Sequence, residues 1–133
     1  MTMAEKVCLQ PCLGLRKEAV VGRQALYVVH EDLRPETTVL GCGPALNANV
    51  QEDVDFINMY PVLAVEACDK DCATRLVDKK GRAASRTVRV TELAEQEGVD
   101  LSGLPEGENI RAEHPAVQAV AARIAAMVDE LLR

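Results

Sequence analysis

The run Val62, Leu63, Ala64, Val65 contains no polar residue. On an extended chain its side chains point alternately to opposite faces, so both faces need an apolar cover. That is the condition of a strand in a parallel sheet between helical layers. Pro61 opens the run and Cys68 follows its carboxyl end. A helix comes next: Ala73, Leu76 and Val77 recur at helical spacing, Asp69 or Asp71 is placed to cap it, and Gly81 supplies a left-handed stop. Cys72 falls in its first turn. Two thiols with three residues between them, one leaving a strand and one entering a helix, have a spacing that zinc sites use.

The rest of the chain repeats this grammar. Lys6–Leu9 reads as a strand, broken by Pro11, Cys12 and Gly14. From Arg16 to Leu33 the positions Ala19, Gly22, Leu26, Val29 and Leu33 recur at intervals of three and four, the mark of one apolar helix face of about five turns. Gly22 lies on that face and implies close packing against the sheet, since an interior Gly otherwise costs about 1 kcal/mol against Ala. Pro35 ends the helix, and Thr37–Gly41 is a second β-branched run ending in Gly41, Cys42, Gly43, Pro44. A short helix is expected over Gln51–Met59, with Asn49 as its candidate cap and Val54 and Ile57 inward. Beyond Gly81 the alternation Thr87, Val88, Arg89, Val90, Thr91 predicts a half-exposed edge strand. Residues 95–113 read as a surface loop anchored by Val99, Leu101, Leu104 and Ile110. Pro115 then opens a terminal helix over 115–132 with Val117, Val120, Ile124, Met127 and Leu131 in one stripe. The order of elements predicts one α/β domain over residues 1–133, a three-layer fold with about four parallel strands and helices on both faces.

Composition excludes several partners. The net charge is −6, and there is no Trp, two Tyr and one Phe, so neither a basic groove nor a base-stacking platform is available and no nucleic-acid partner is expected. No apolar run approaches the ~20 residues of a membrane span, and Met1–Lys6 lacks the apolar core of a signal peptide, so a cytoplasmic, membrane-free protein is expected. Five cysteines in that compartment point to metal or redox use rather than disulfides.

Direction decides what the cysteines do. In a parallel sheet all carboxyl strand ends share one edge, where open α/β sheets take their ligands. Cys12, Cys42, Cys68 and Cys72 all follow expected strand ends, so residues far apart in sequence should gather on that edge. Packed core thiols are the ordinary alternative for any one of them, but thiols chosen for packing should fall inside elements as often as at their ends. Four thiolates make a closed tetrahedral zinc shell, which implies a structural or metal-responsive ion rather than a catalytic one. Cys8 is left over. Of a fifth, exchanging thiol, a redox partner for Cys12 and a buried strand residue, the last is favoured, because Lys6–Leu9 is the strand itself. Glu66 is open between an outer partner of the ligands, a proton acceptor and a turn cap. His30 and His114 read as surface residues, His114 at a helix cap, and the acidic pairs Glu52/Asp53 and Glu106/Glu108 read as solvated charge.

These residues resemble the DGC-domain family, named for an Asp-Gly-Cys motif at a strand end. The likeness runs from Cys12 to Leu132: Cys12-Leu13-Gly14, then Arg23-Gln24-Ala25 and Leu33-Arg34-Pro35, then Cys42, then Pro61 to Cys72-Ala73 and Gly81. Glu66 and Ala67 stand where the family motif has Asp and Gly. The resemblance implies zinc chelation by Cys12, Cys42, Cys68 and Cys72 and no particular reaction. Two other classes remain beside it, a thiol redox protein and an iron–sulfur carrier. Neither Cys68/Cys72 nor Cys8/Cys12 has Cys-x-x-Cys spacing, no ferredoxin spacing is present, and no Cys is followed by Arg at phosphate-loop separation. There is no recognisable catalytic constellation, and Gly41-Cys42-Gly43 is too short for a nucleotide fingerprint. Self-association and a protein or small-thiol partner are left open.

Overall fold

The computed structural model describes residues 5–105 and 109–133, so the expectations for Met1–Ala4 and for Glu106 and Glu108 fall outside the described residues. The strands are β1 (Val7–Pro11), β2 (Thr38–Leu40), β3 (Val62–Glu66) and β4 (Arg86–Arg89). They form one sheet in the order β2-β1-β3-β4 with every pairing parallel. The helices are α1 (Lys17–Val28), α2 (Gly43–Asn47), α3 (Gln51–Met59), α4 (Cys72–Lys79), α5 (Val90–Gln96) and α6 (Pro115–Leu131). The α/β fold expected from the sequence is therefore present, with both faces covered.

Strand alternation divides the interior. Val7, Leu9, Leu63, Val65 and Val88 face α1, α5 and α6, whereas Cys8 and Val62 face Leu46 of α2, Ile57 of α3 and Val77 of α4. A Cβ on Gly22 would lie 3.0 Å from Val90 Cγ2 and 3.6 Å from Val65 Cγ1, so α1 approaches both the sheet and the start of α5 through this glycine. Gly81 has φ +81° and stops α4 in the left-handed region, as expected.

Four local expectations are corrected. The first helix is α-helical only to Val28, and Val29–Leu33 forms a π-helical turn closed by Arg34 N–H donating to Val29 O. One extra residue in that turn displaces later positions by about 100° around the axis, which is why Leu33 is exposed while Ala19, Gly22, Leu26 and Val29 are buried. Asn49 does not cap α3. It sits at φ 60° before the cap residue Val50, and its Oδ1 accepts from Lys80 Nζ. The strand expected over Thr87–Thr91 ends at Arg89, and Val90, Leu93 and Ala94 bury one side of α5 inside what read as strand and loop. The remaining loop is held as expected, with Leu101 and Ile110 buried and Val99 and Leu104 packed on the core.

The chain runs from β1 outward to β2, then crosses back over β1 to β3 and on to β4. The winding reverses between β1 and β3. In open α/β sheets the crevice beyond the carboxyl ends at such a reversal is where ligands bind.

Candidate functional site

Parallel register places the cysteines relative to one another. Pro11 pairs with Val65, and Cys12 N–H donates to Val65 O, so Cys12 leaves β1 level with the end of β3. Leu9 pairs with Leu40, and Gly41 N–H donates to Leu9 O, so Cys42 leaves β2 at the same edge. Cys68 lies two residues beyond Glu66, the last residue of β3, and Cys72 is the first residue of α4. All four stand at the carboxyl edge, two beside the winding reversal. Their thiols are free, with Cys42 and Cys72 exposed and Cys12 and Cys68 half-buried.

Shared edge is not yet shared site. Cys12 and Cys72 line one cavity of about 280 Å³ on the α2/α4 face, together with Gln10, Gly43, Asn47 and Leu76. Cys42 lines a different one of about 200 Å³, with Leu26, Tyr27 and Leu40 on the α1 side, and Cys68 lines neither. Among the described residues no three His, Cys, Asp or Glu side chains stand close enough together to hold a metal ion. Cys12 and Cys68 lie in segments 12–16 and 67–71, outside the helices and strands, with Cys12 N–H donating to Val65 O and Asp71 N–H to Cys68 O.

Two buried carboxylates stiffen the edge, and each holds backbone. Glu66 is 1% exposed; its Oε1 accepts from Ala73 N–H at 3.2 Å and its Oε2 accepts from Thr74 N–H and Thr74 Oγ1, both at 2.7 Å. It therefore supplies from the end of β3 the cap that α4 needs for its first-turn donors. Asp69 and Asp71 do not take that role: Asp71 occupies the left-handed region at φ 50°, and its carboxylate pairs with Arg89 at 3.0 Å. The hydrogen bond and charge of that guanidinium hold the Asp71 carboxyl below the usual carboxylate range. Asp53, expected to be solvated, is instead 7% exposed and accepts from Cys42 N–H at 2.9 Å. It fixes the backbone at the start of α2, a contact across two helices that no local pattern announces.

Cys8 belongs to the core, as favoured. It is fully buried in β1, and burial first, with the nearby Asp53 charge second, pushes its thiol up to about 12. Cys8 and Cys12 lie four residues apart along an extended chain, about 13 Å, against the roughly 7 Å limit between Cα atoms for a disulfide. At that separation Cys8 and Cys12 do not form a disulfide in the folded chain. His114 caps α6, its Nδ1 accepting from Ala116 N–H, and His30 is half-buried with Nδ1 2.9 Å from Thr38 Oγ1. Neither lines the cavities that the cysteines line.

The cavity floor holds the residue that sequence reasoning passed over. Gln10 is 1% exposed in β1 and faces α2 and α4; its Nε2 has no hydrogen-bond partner. A Cβ on Gly41 would meet Gln10 Oε1 at 2.2 Å, so the glycine before Cys42 makes room for this amide. Gln10 carried no signal in sequence beyond a polar residue at the end of an apolar strand.

A larger cavity of about 600 Å³ lies between α1 and α5, lined by Lys17, Glu95 and Asp100 among others, and carries no thiol. Among the described residues no helix is long and apolar enough to cross a membrane. No curated protein and no solved structure matches this chain. The sequence profile of the DGC domain does match, over residues 8–123, a span that holds all five cysteines and every strand except the first residue of β1, and the chain belongs to the DGC-domain family.

Proposed function

We propose that this protein binds one zinc ion through the thiolates of Cys12, Cys42, Cys68 and Cys72, in a structural or metal-responsive role. One observation carries the reading: the four thiols that solvent can reach all stand at the carboxyl edge of the sheet, while the fifth is sealed inside β1. The donor set suits the ion, since thiolates are soft ligands that zinc takes in tetrahedral sets of four. The nearby carboxylates do not compete for it, because Glu66 and Asp53 are engaged with backbone amides. Loading needs the segments 12–16 and 67–71 to bring their sulfurs together with those of Cys42 and Cys72, which makes binding a step that orders the edge.

A shell of four thiolates leaves no position for water or substrate, so the bound ion would tie strand ends together rather than activate a nucleophile. The buried acids and Gln10 then serve as the frame on which the ligands close. Metal content of anaerobically purified, reduced protein tests the reading. About one zinc per chain is expected, whereas iron with visible absorption, or no metal, overturns it.

A further inference from the structure

The cavity on the α1 side of the sheet lies at the carboxyl ends of β1 and β2 and holds about 200 Å³. Leu26 of α1, Leu40 of β2 and Leu13 of the segment 12–16 form its apolar wall, with Tyr27 and Cys42 beside them. Leu13 and Tyr27 nevertheless remain 41% and 49% exposed. Apolar side chains left open around a hollow favour an apolar occupant, because covering them removes their surface from water.

One cation accompanies this wall. Among the described residues that line the cavity, Arg23 is the charged one. Its Nη1 donates to Gly14 O at 2.8 Å, which holds the guanidinium beside Leu13. That bond uses one N–H of a group that carries several, and the planar fork matches the two oxygens of a carboxylate. Asp53, whose carboxylate holds the Cys42 amide, is buried outside the lining. The chain carries −6 overall, so an anion is drawn here by this guanidinium and not by the general field. A phosphate ester, with about two negative charges, would bring one uncompensated charge into an apolar hollow, whereas a carboxylate is matched one to one.

We infer that this cavity binds a small aliphatic monocarboxylate, its carboxylate paired with Arg23 and its tail laid against Leu13, Leu26 and Leu40. At about 30 Å³ for each water-sized group, the volume suits a tail of roughly six carbons. The inference does not rest on the zinc reading. Cys42 stands at the wall as a reporter of occupancy.

The test titrates hexanoate into the reduced, metal-free full chain and follows amide NMR shifts, with hexanol and hexylamine as probes of the same tail and a different head. Hexanoate should saturate the site, hexanol should bind at least several-fold more weakly, and hexylamine should not bind. Arg23→Gln should weaken hexanoate about 10- to 100-fold, the effect of losing a charged hydrogen-bond partner, and leave hexanol unchanged. Tyr27→Asp sets a negative charge at an exposed helix position beside the cavity and should weaken hexanoate more than hexanol. It decides the matter if Arg23→Gln does not fold. Saturating hexanoate should also slow alkylation of Cys42 by iodoacetamide several-fold, while Cys72 reacts at its unliganded rate. Absence of saturable hexanoate binding, equal affinity for hexanol, or binding that leaves Cys42 unprotected overturns the site. None of these outcomes depends on metal content, so the zinc reading stands or falls separately.

Discussion

Glu66 stands where the family motif places an aspartate, and its longer side chain reaches two amides and a hydroxyl at the start of α4. Truncation by Glu66→Ala strips both amides in a buried setting, and the expected loss is about 2 kcal/mol in a denaturant titration. A loss below a few tenths would show that water replaces the carboxylate freely. Cys8 makes a second prediction at this scale. Its thiol is enclosed and pushed up to about 12, so it is not a thiolate at neutral pH. Iodoacetamide under native, metal-free conditions should label the other four cysteines and spare Cys8 until the chain unfolds. Rapid native modification of Cys8, read by peptide mass spectrometry, would contradict its placement in the core.

At the scale of elements, sequence and structure part where one residue serves two periodicities. Val90 continues the alternation of Thr87 and Val88, yet it also begins the i, i+3, i+4 set Val90, Leu93, Ala94 that α5 buries. Short helices of this kind carry too few turns for their period to be read. The same holds for α2, whose Gly43 and Pro44 read as a turn, although Pro is well placed in a first helical turn. The π-helical turn after α1 was equally hidden, since Val29 keeps its buried position and only Leu33 is displaced. Arg34, just beyond that turn, pairs with Asp129 of α6 at 2.7 Å, joining two helices on one face of the sheet. The hydrogen bond to Arg34 holds the Asp129 carboxyl below its usual range. Its contribution is therefore fully present above about pH 4 and is lost as pH falls through the lowered folded value. Because both side chains are more than a third exposed, solvent screening keeps the contribution below about 1 kcal/mol. Asp129→Asn should be slightly less stable than wild type at pH 7, with the gap closing as pH drops below about 4. A gap that persists unchanged at pH 2 would assign the effect to something other than this ion pair.

For the molecule as a whole, the parallel sheet was legible because the unalternated run Val62–Val65 leaves few other solutions, and a parallel sheet brings all its carboxyl ends to one edge. That is how cysteines following three strand ends could be assigned to one edge of the sheet from the sequence, although the structure does not bring the four side chains to one point. What the sequence did not disclose is tertiary: Asp53 crossing from α3 to the Cys42 amide, and the Gln10 amide seated against Gly41. Both depend on helices meeting a sheet, and neither leaves a periodic trace. The two faces of the sheet are packed by apolar side chains, which give the domain a core of its own. A chelator should accordingly lower the melting temperature without abolishing the cooperative transition, even though structural zinc in small peptides contributes ~10 to 16 kcal/mol. An unchanged melting curve after verified metal removal would deny the ion a structural role.

The central claim is that the thiols of one sheet edge, and not the one in the core, form a single metal centre. Zinc per chain, measured in wild type and in five single variants, tests it most directly. The account predicts about one zinc in wild type and in Cys8→Ser, with binding lost or severely weakened in Cys12→Ser, Cys42→Ser, Cys68→Ser and Cys72→Ser alike. Full zinc retention in any of those four, or loss of zinc in a folded Cys8→Ser protein, would contradict it.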